Sequence, residues 1–257
     1  MIAACLAMMP HALPFSADDF GTDVWRANEL GSASDITVVS GHAVLDAQLP
    51  GGGWPVGALC EILQHHSGQH EWRLILPALV RAELGPVTVL VGAPHVPFGP
   101  GLVAQGLEAD RLVRVTADAA LERLWAAEQA LRCADVAAVL AWLPQVRAAQ
   151  LRRLHMAASQ HRKLLFVMRP AQAQDESSPA VLRLLVGPAS PGVDALAGAL
   201  QLHILKRRGP PLTDPLLLPE RQASLSVLLA MHSWRAPAPE LIPPEARNAL
   251  DCLAAAA

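Results

Sequence analysis

Tyrosine is absent from this 257-residue sequence, and aromatic residues make up only 4% of it. The sequence therefore shows no set of aromatic rings on which the bases of a single-stranded nucleic acid would stack. The 20 Lys and Arg residues are balanced by 23 Asp and Glu residues, and the resulting net charge of −3 argues against attraction of the whole molecule to nucleic acid. No uninterrupted apolar run reaches the roughly 18 residues of a membrane-spanning helix. These absences favour a globular protein of the cytoplasm.

Cysteines are few, and none of them form a CxxC pair; they are Cys5, Cys60, Cys133 and Cys252. This spacing argues against a zinc ribbon or a disulfide scaffold, so we expect reduced thiols. The first residues are apolar but lack a basic start, and Pro10 and Pro14 interrupt them, which argues against a secretion signal. We therefore expect residues 1–24 to form a flexible N-terminal arm.

Short apolar runs alternate with segments of helical periodicity, which is typical of an α/β protein with a mostly parallel sheet flanked by helices. In the helix 119–132, we expect Leu121, Leu124, Trp125 and Leu131 to form the buried stripe, with Glu128 facing solvent. Two later runs, 180–186 and 200–206, predict an antiparallel hairpin. The predicted strands are 58–63, 87–91, 111–115, 136–142 and 164–168. The predicted helices are 71–83, 99–105, 119–132 and 145–160.

Proline becomes frequent after Gly209, as in GPPLTDPLLLPE and APAPELIPPE. Because proline cannot donate to a strand ladder, we place the end of the core at residue 211 and predict an extended tail over 212–257. Its apolar group, Leu216, Leu217 and Leu218, is expected to lie outside the sheet and to dock on a partner protein. The alternative is that the tail packs against its own domain.

The loop after the first long strand has the sequence QHHSGQH and precedes a helix, which is the position of a phosphate-binding loop. Such a loop needs glycines, a lysine for the terminal phosphates, and a hydroxyl for magnesium. Only Ser67 and Gly68 remain of that set. We interpret the loop as a vestigial nucleotide site, comprising Gln64, His65, His66, Ser67, Gly68, Gln69 and His70.

The run TVVSGHAVLDAQLPGGGWPVGALCEIL resembles the entry to the ATPase core of the RecA recombinase family. The later segments VLVGAPHVPFGPGLVAQGLEADRLVRV, ALERLWAAEQALRCADVAAVLAWLP and LKRRGPP continue that resemblance as far as residue 211. Together they are similar to the ImuA family, RecA-like accessory proteins of bacterial translesion synthesis, with SulA as a more distant relative. The resemblance implies a RecA-like P-loop NTPase fold over residues 25–211.

The resemblance also identifies the positions that nucleotide hydrolysis would need. The P-loop lysine falls on Gln69, the magnesium-binding hydroxyl on His70, the catalytic carboxylate on Pro94 and the Walker B aspartate on Leu140. None of these side chains supplies the positioned charge on which phosphoryl transfer depends. We therefore expect no enzymatic activity, no catalytic residue and no cofactor.

By the same resemblance, the chain is expected to be an accessory protein of SOS-type, error-prone translesion DNA synthesis. The implied partners are an inactive Y-family polymerase-like protein (ImuB-like), RecA and, indirectly, an error-prone replicative polymerase. DNA contact is expected to be indirect, with the active protein at the nucleoid. Two alternatives stay open, an active or weakly active RecA-like ATPase and a SulA-like inhibitor of the cell-division GTPase.

Basic residues are concentrated in two segments, and no acid occurs between Val136 and Gln174. A surface of one charge sign suits an acidic partner or phosphate, although a solvated helix face is the alternative. The candidate contacts are Arg152, Arg153, Arg162, Lys163, Lys206, Arg207 and Arg208.

The loop histidines together with Cys60 suggest a metal site, but no second cysteine or carboxylate completes a ligand set, so no metal is predicted. Glu61, like the other single acids, is expected to be structural.

Overall fold

The computed structural model describes residues 36–81, 86–189 and 198–219. The strands are β1 (Thr37–Val38), β2 (Trp54–Pro55), β3 (Leu59–Gln64), β4 (Val87–Val91), β5 (Leu112–Val115), β6 (Val136–Trp142), β7 (Leu164–Pro170), β8 (Leu182–Pro188), β9 (Leu200–Lys206) and β10 (Leu216–Leu218). The α-helices are α1 (Ala43–Asp46), α2 (Glu71–Arg81), α3 (Gly99–Val103), α4 (Ala120–Arg132) and α5 (Ala148–His161). None of these helices combines the length and apolarity needed to cross a membrane.

The main sheet of the described residues has eight strands in the order β10-β9-β8-β3-β7-β6-β4-β5. The strands from β8 to β5 in this order are parallel to their neighbours, whereas β9 and β10 are antiparallel additions at one edge. The expected α/β architecture and the expected β8–β9 hairpin are therefore confirmed. A separate two-stranded sheet pairs β1 with β2.

Helices cover both faces of the sheet, which explains why β3 and β6 are buried along their whole length. On one face, α1 and α2 pack Leu45, Leu74 and Leu79 against the core. On the other face, α4 and α5 contribute Leu131 and Leu154. The continuous apolar runs of the sequence are thus the central strands.

Pro77 lies inside α2 and has no N–H to offer the carbonyl oxygen of Arg73, four residues earlier. The ring Nε2 of His42 lies 3.2 Å from that same oxygen, and His42 is buried. With its proton on Nε2, His42 supplies from another segment the hydrogen bond that the proline cannot make. The segment before the sheet therefore supports α2.

The predicted buried stripe of α4 is wrong in two positions, because Leu121 and Trp125 are 71% and 65% exposed. Glu128, predicted to face solvent, is buried. The reason is the packing of α5 beside α4, which brings Arg153 within 2.6 Å of the Glu128 carboxylate, while Arg132 pairs with its other oxygen at 2.6 Å. The apolar positions that do face the sheet are Leu124, Ala127 and Leu131.

The prediction that Leu216, Leu217 and Leu218 lie outside the sheet is also wrong. They form β10, pairing with Leu202, Gln201 and Leu200 of β9, and Leu218 is fully buried. The prolines of this segment flank the strand instead of interrupting it, so no ladder hydrogen bond is lost. The predicted arm 1–24 and the remainder of the tail, 220–257, lie outside the described residues.

Three neighbouring strands share a buried ionic cluster on the face covered by α4 and α5. Glu61 of β3 is fully buried and accepts from Arg183 Nε at 2.7 Å and from Arg169 Nη1 at 3.2 Å. Arg169 also reaches Glu176 at 2.6 Å. Glu61 is therefore structural, as expected, and Arg169 belongs to the core and not to a basic surface.

Candidate functional site

The loop of residues 64–70 leaves the carboxyl end of β3 and leads directly into α2. The carboxyl ends of β7, β6 and β4 lie along the same side of the sheet, because these strands are parallel to β3, and β7 separates β3 from β6. Ligands of open parallel sheets bind at such an edge. The loop 64–70 therefore lies at the ends of the strands where the sequence predicts a nucleotide site.

The carboxylate of Glu71, the first residue of α2, is 1% exposed and occupies the inside of this loop. Its Oε1 accepts hydrogen bonds from the N–H of Gly68 at 2.6 Å, from Trp142 Nε1 at 2.9 Å and from the amide of Gln64. Its Oε2 accepts from the N–H of His70 at 3.1 Å. Loop N–H groups of this kind hold phosphate in working nucleotide sites. Here the same kind of N–H groups bind the carboxylate of Glu71, a residue of the chain itself.

Most of the other loop residues have exposed side chains. His65, His66, Ser67 and Gln69 are exposed. Gly68 has a φ of +93°, and a Cβ there would lie 2.5 Å from the His95 ring, so the turn that presents its N–H to Glu71 requires glycine. Partial burial lowers the pKa of His70; the Glu71 carboxylate opposes this shift, and the Arg73 charge adds a smaller lowering.

The two remaining catalytic positions carry apolar residues in the structure. Leu140 lies in the middle of β6 and is fully buried in the core. Pro94 follows β4 and borders a cavity beside the loop. Neither side chain has an oxygen that could bind magnesium or accept a proton.

The cavity beside the loop has a volume of about 290 Å³ and opens between the ends of β4, β5 and β6. Its walls contain two arginines, of which Arg114 donates to the carbonyl of Ala93 at 3.3 Å and Arg123 to that of Ala117 at 2.7 Å. Trp142 contributes its ring as one wall. The lining residues are Ser67, Gly92, Ala93, Pro94, Arg114, Thr116, Ala117, Asp118, Arg123, Trp142 and Pro144.

Sequence reasoning missed Glu71, Arg114 and Arg123 as parts of this site. The available signal for Glu71 was an acid at the first position of the helix that follows the loop, where the helix dipole favours a negative charge. Arg114 and Arg123 carry no local signal, because only the sheet brings β5 and the start of α4 beside the loop.

The candidate basic contacts are dispersed in the structure and differ in accessibility. Arg152 and Arg162 are exposed, whereas Arg153 is paired with Glu128. Lys163 is buried, with its Nζ donating to the Ala134 carbonyl at 2.8 Å, so the predicted surface position is wrong for this residue. The lysine extends its aliphatic stem along the core while its ammonium finds a backbone acceptor.

The second basic segment begins at the carboxyl end of β9. Because β9 runs antiparallel to β8, this segment lies at the end of the strands opposite the loop. Lys206 donates to Ser178 O at 3.0 Å, and Arg207 donates to Gln48 O at 2.5 Å. Arg208 is exposed. Burial and the charges of Arg208 and Lys206 lower the pKa of His155, whose Nδ1 accepts from the N–H of Leu59 at 3.1 Å.

Among the described residues, the loop histidines and Cys60 do not form a metal site. Cys60 is buried in the core, and burial raises the pKa of its thiol. Within the described ranges, no three His, Cys, Asp or Glu side chains are grouped so that they could hold a metal ion.

Comparison with known proteins gives two relatives. The Cell division inhibitor SulA of Edwardsiella piscicida is 30% identical over 152 residues, which cover 58% of this chain and 88% of that protein. The protein of the same name from Photorhabdus laumondii subsp. laumondii is 30% identical over 112 residues, or 43% of this chain and 63% of that protein. No family model matches the sequence. The chain belongs to the family of SulA, within the SulA/RecA-like superfamily.

Proposed function

We propose that the chain is a non-catalytic member of this superfamily that acts through protein contacts in an SOS-type response. The observation that carries the proposal is the position of the Glu71 carboxylate, which accepts hydrogen bonds from the loop N–H groups of Gly68 and His70. A bound phosphate would have to displace this buried carboxylate or lie against its negative charge. Both cost free energy that a nucleotide must recover from other contacts.

The replaced positions support the same proposal. Gln69 is uncharged and exposed, so the loop has no lysine to neutralise a terminal phosphate. Leu140 and Pro94 offer no carboxylate for magnesium or for a nucleophilic water. Because phosphoryl transfer is catalysed almost entirely by positioned charge, the site retains little with which to catalyse it.

The specific role that we propose is that of an accessory protein in error-prone translesion synthesis, with the polymerase-like protein and RecA as partners. This proposal is supported by the resemblance of several segments between Thr37 and Pro211 to the ImuA family. It agrees with the absence of an aromatic stacking surface from the sequence, because contacts with proteins then replace direct binding of DNA.

A second candidate is inhibition of cell division, which the names of both relatives favour. The match covers 88% of the Edwardsiella protein, so most of that protein's length has a counterpart in this chain. Under this candidate, the partner would be the cell-division GTPase and not a polymerase.

The non-catalytic proposal is tested by melting the purified chain with and without millimolar Mg-ATP. A surviving site of micromolar affinity would stabilise the folded state by about 4 kcal/mol, because ligand binding to the folded state alone raises its stability. We expect no rise in melting temperature. A clear rise, or DNA-stimulated phosphate release above that of a Gln69→Ala control, would contradict the proposal.

The two roles are separated in bacterial cells. If the translesion role is correct, deleting the gene lowers damage-induced mutagenesis, and overproducing the chain leaves cell length unchanged. If the chain is a division inhibitor, overproduction causes filamentous growth and deletion leaves mutagenesis unchanged. Protein levels measured in parallel exclude an effect of poor expression.

A further inference from the structure

We propose that the cavity between the ends of β4, β5 and β6 receives an acidic side chain of a partner protein. This inference rests on the proposed function, since it gives protein contacts a location and a chemistry. The cavity and the vestigial loop share Ser67 and Trp142, but the cavity extends away from Glu71 toward β5 and α4.

The walls of the cavity favour a negative charge. Arg114 and Arg123 both line it, and Asp118 is the one acid among the lining residues. Within the described part of the chain, neither arginine forms an ion pair with a carboxylate. Each donates to a backbone carbonyl, and a guanidinium has five N–H donors, so donors remain for a carboxylate in the cavity.

Arg123 is held in place before any partner arrives. Gly92 has a φ of +65°, and a Cβ built on it would lie 2.8 Å from Arg123 Cδ and 3.0 Å from Nε. The arginine therefore packs closely against the backbone at Gly92, and its Nε donates to Ala117 O. Such preorganisation reduces the entropy that binding would otherwise cost.

The size of the cavity suits one side chain. Its volume of about 290 Å³ lies just below the range of small-molecule sites, which span roughly 300–1,000 Å³. Ala93, Pro94 and the ring of Trp142 supply apolar walls for the methylene groups of a carboxylic side chain. A nucleotide would also need the loop N–H groups that Glu71 already takes.

Three exposed apolar residues lie within four positions of residues that line the cavity. Val96 and Phe98 are 74% and 75% exposed and come two and four residues after Pro94. Leu121 is 71% exposed and comes two residues before Arg123. Aromatic residues and arginine are enriched in protein interfaces, where buried anchors are surrounded by a rim. The partner is therefore expected to present an Asp or Glu flanked by apolar side chains.

The test uses the full-length, ¹⁵N-labelled chain and the blocked peptide acetyl-Leu-Asp-Leu-amide as the probe. We expect the peptide to shift the indole N–H resonance of Trp142 and the Nε–H resonance of Arg123. We expect the counterpart with Asn in place of Asp to bind at least tenfold more weakly. Substitutions Arg114→Gln and Arg123→Gln should each weaken the Asp peptide at least tenfold, whereas Arg81→Gln, at the exposed far end of α2, should not.

Several outcomes would overturn the inference. Equal binding of the Asp and Asn peptides would show that charge is not recognised, and unchanged binding by Arg114→Gln would show that the cavity is not the site. If inorganic phosphate binds more tightly than the peptide and Phe98→Ala has no effect on either, the cavity is an oxyanion site and not a docking site. Because Arg114 is exposed on an edge strand, its variant is informative even if Arg123→Gln fails to fold.

Failure of this inference is distinguishable from failure of the proposed function. Mg-ATP binding and the cellular phenotypes do not involve the peptide. If Arg114→Gln abolishes peptide binding but leaves the cellular phenotype and protein level unchanged, the cavity inference fails alone.

Discussion

The indole N–H of Trp142 donates to the carboxylate of Glu71 at 2.9 Å, joining the end of β6 to the first residue of α2. The two residues are 71 positions apart in the sequence and both are buried. This hydrogen bond ends on Oε1, the same carboxylate oxygen that accepts from the N–H of Gly68. The loop conformation therefore depends on a residue of a different strand and not only on its own sequence.

Replacement of Glu71 by alanine should destabilise the fold by about 3 kcal/mol, because it leaves several buried donors without their charged acceptor. The loss should appear as a lower urea midpoint with an unchanged denaturant dependence. Glu122→Ala, which removes an exposed acid from the first turn of α4, is the matched control and should cost less than about 1 kcal/mol. Equal effects of the two substitutions would contradict the structural role of Glu71.

Replacement of Glu61 by leucine should cost about 3–5 kcal/mol, since it leaves Arg169 and Arg183 as buried charges without their shared partner. Arg132→Ala removes an exposed arginine from Glu128, which keeps its ion pair with Arg153, and should cost less than about 1 kcal/mol. Urea denaturation of both variants provides the comparison. A Glu61 variant as stable as the Arg132 variant would mean that the buried cluster relaxes or hydrates.

The two neighbouring leucines of β10 give a prediction about the chain after residue 211. Leu218 is fully buried and Leu217 is exposed, so Leu218→Ala should destabilise by about 2–5 kcal/mol and Leu217→Ala by much less. For the same reason, truncation after Pro211 should lower the melting temperature. If Leu217→Ala instead weakens capture of a partner without affecting melting, the exposed side of β10 retains the predicted docking role.

Acid should destabilise the fold partly through His155. Burial, with Arg208 and Lys206, lowers its pKa below the ordinary value of 6.5. Between the lowered pKa and 6.5, the unfolded chain binds more protons than the folded chain, so stability is full above this window and falls as the pH drops through it.

The variant His155→Asn keeps an acceptor near the position of Nδ1 for the N–H of Leu59 but cannot take up the proton. Urea unfolding at pH 7.5 and pH 5.5 should therefore show a smaller loss of stability for this variant than for the unmodified chain. His70, whose pKa is also lowered, is present in both proteins, so its contribution to the pH dependence is the same in each. An equal loss would exclude His155 as a source of acid sensitivity.

The central strands were predictable because the physics that forms them is local. β4 and β6 occupy the predicted ranges 87–91 and 136–142, since a strand buried on both faces must be a continuous apolar run. The position of the loop 64–70 also followed from the strand before it and the helix after it. The structure places this loop at the carboxyl ends of the parallel strands, as the pattern of a strand, a loop and a helix predicts.

The errors arose where burial depends on a distant neighbour. An apolar residue of α4 such as Trp125 fits a helical stripe by spacing, but only the position of α5 decides which side of α4 is covered. Likewise, frequent proline disfavoured a strand near residue 216, although β9 offers a free edge that a three-residue strand between prolines can join. The role of Glu71 depends on Trp142, which sequence spacing does not bring near it.

Arg114 lies in β5, a strand of four residues at one edge of the sheet. Exposed strand edges invite pairing with other chains, and short strands or charged side chains on the edge oppose such aggregation. β10, at the other edge, has only three residues. Both edge strands of the described sheet are thus poor templates for strand addition, so a partner at β5 would contact side chains such as Arg114 instead of extending the sheet.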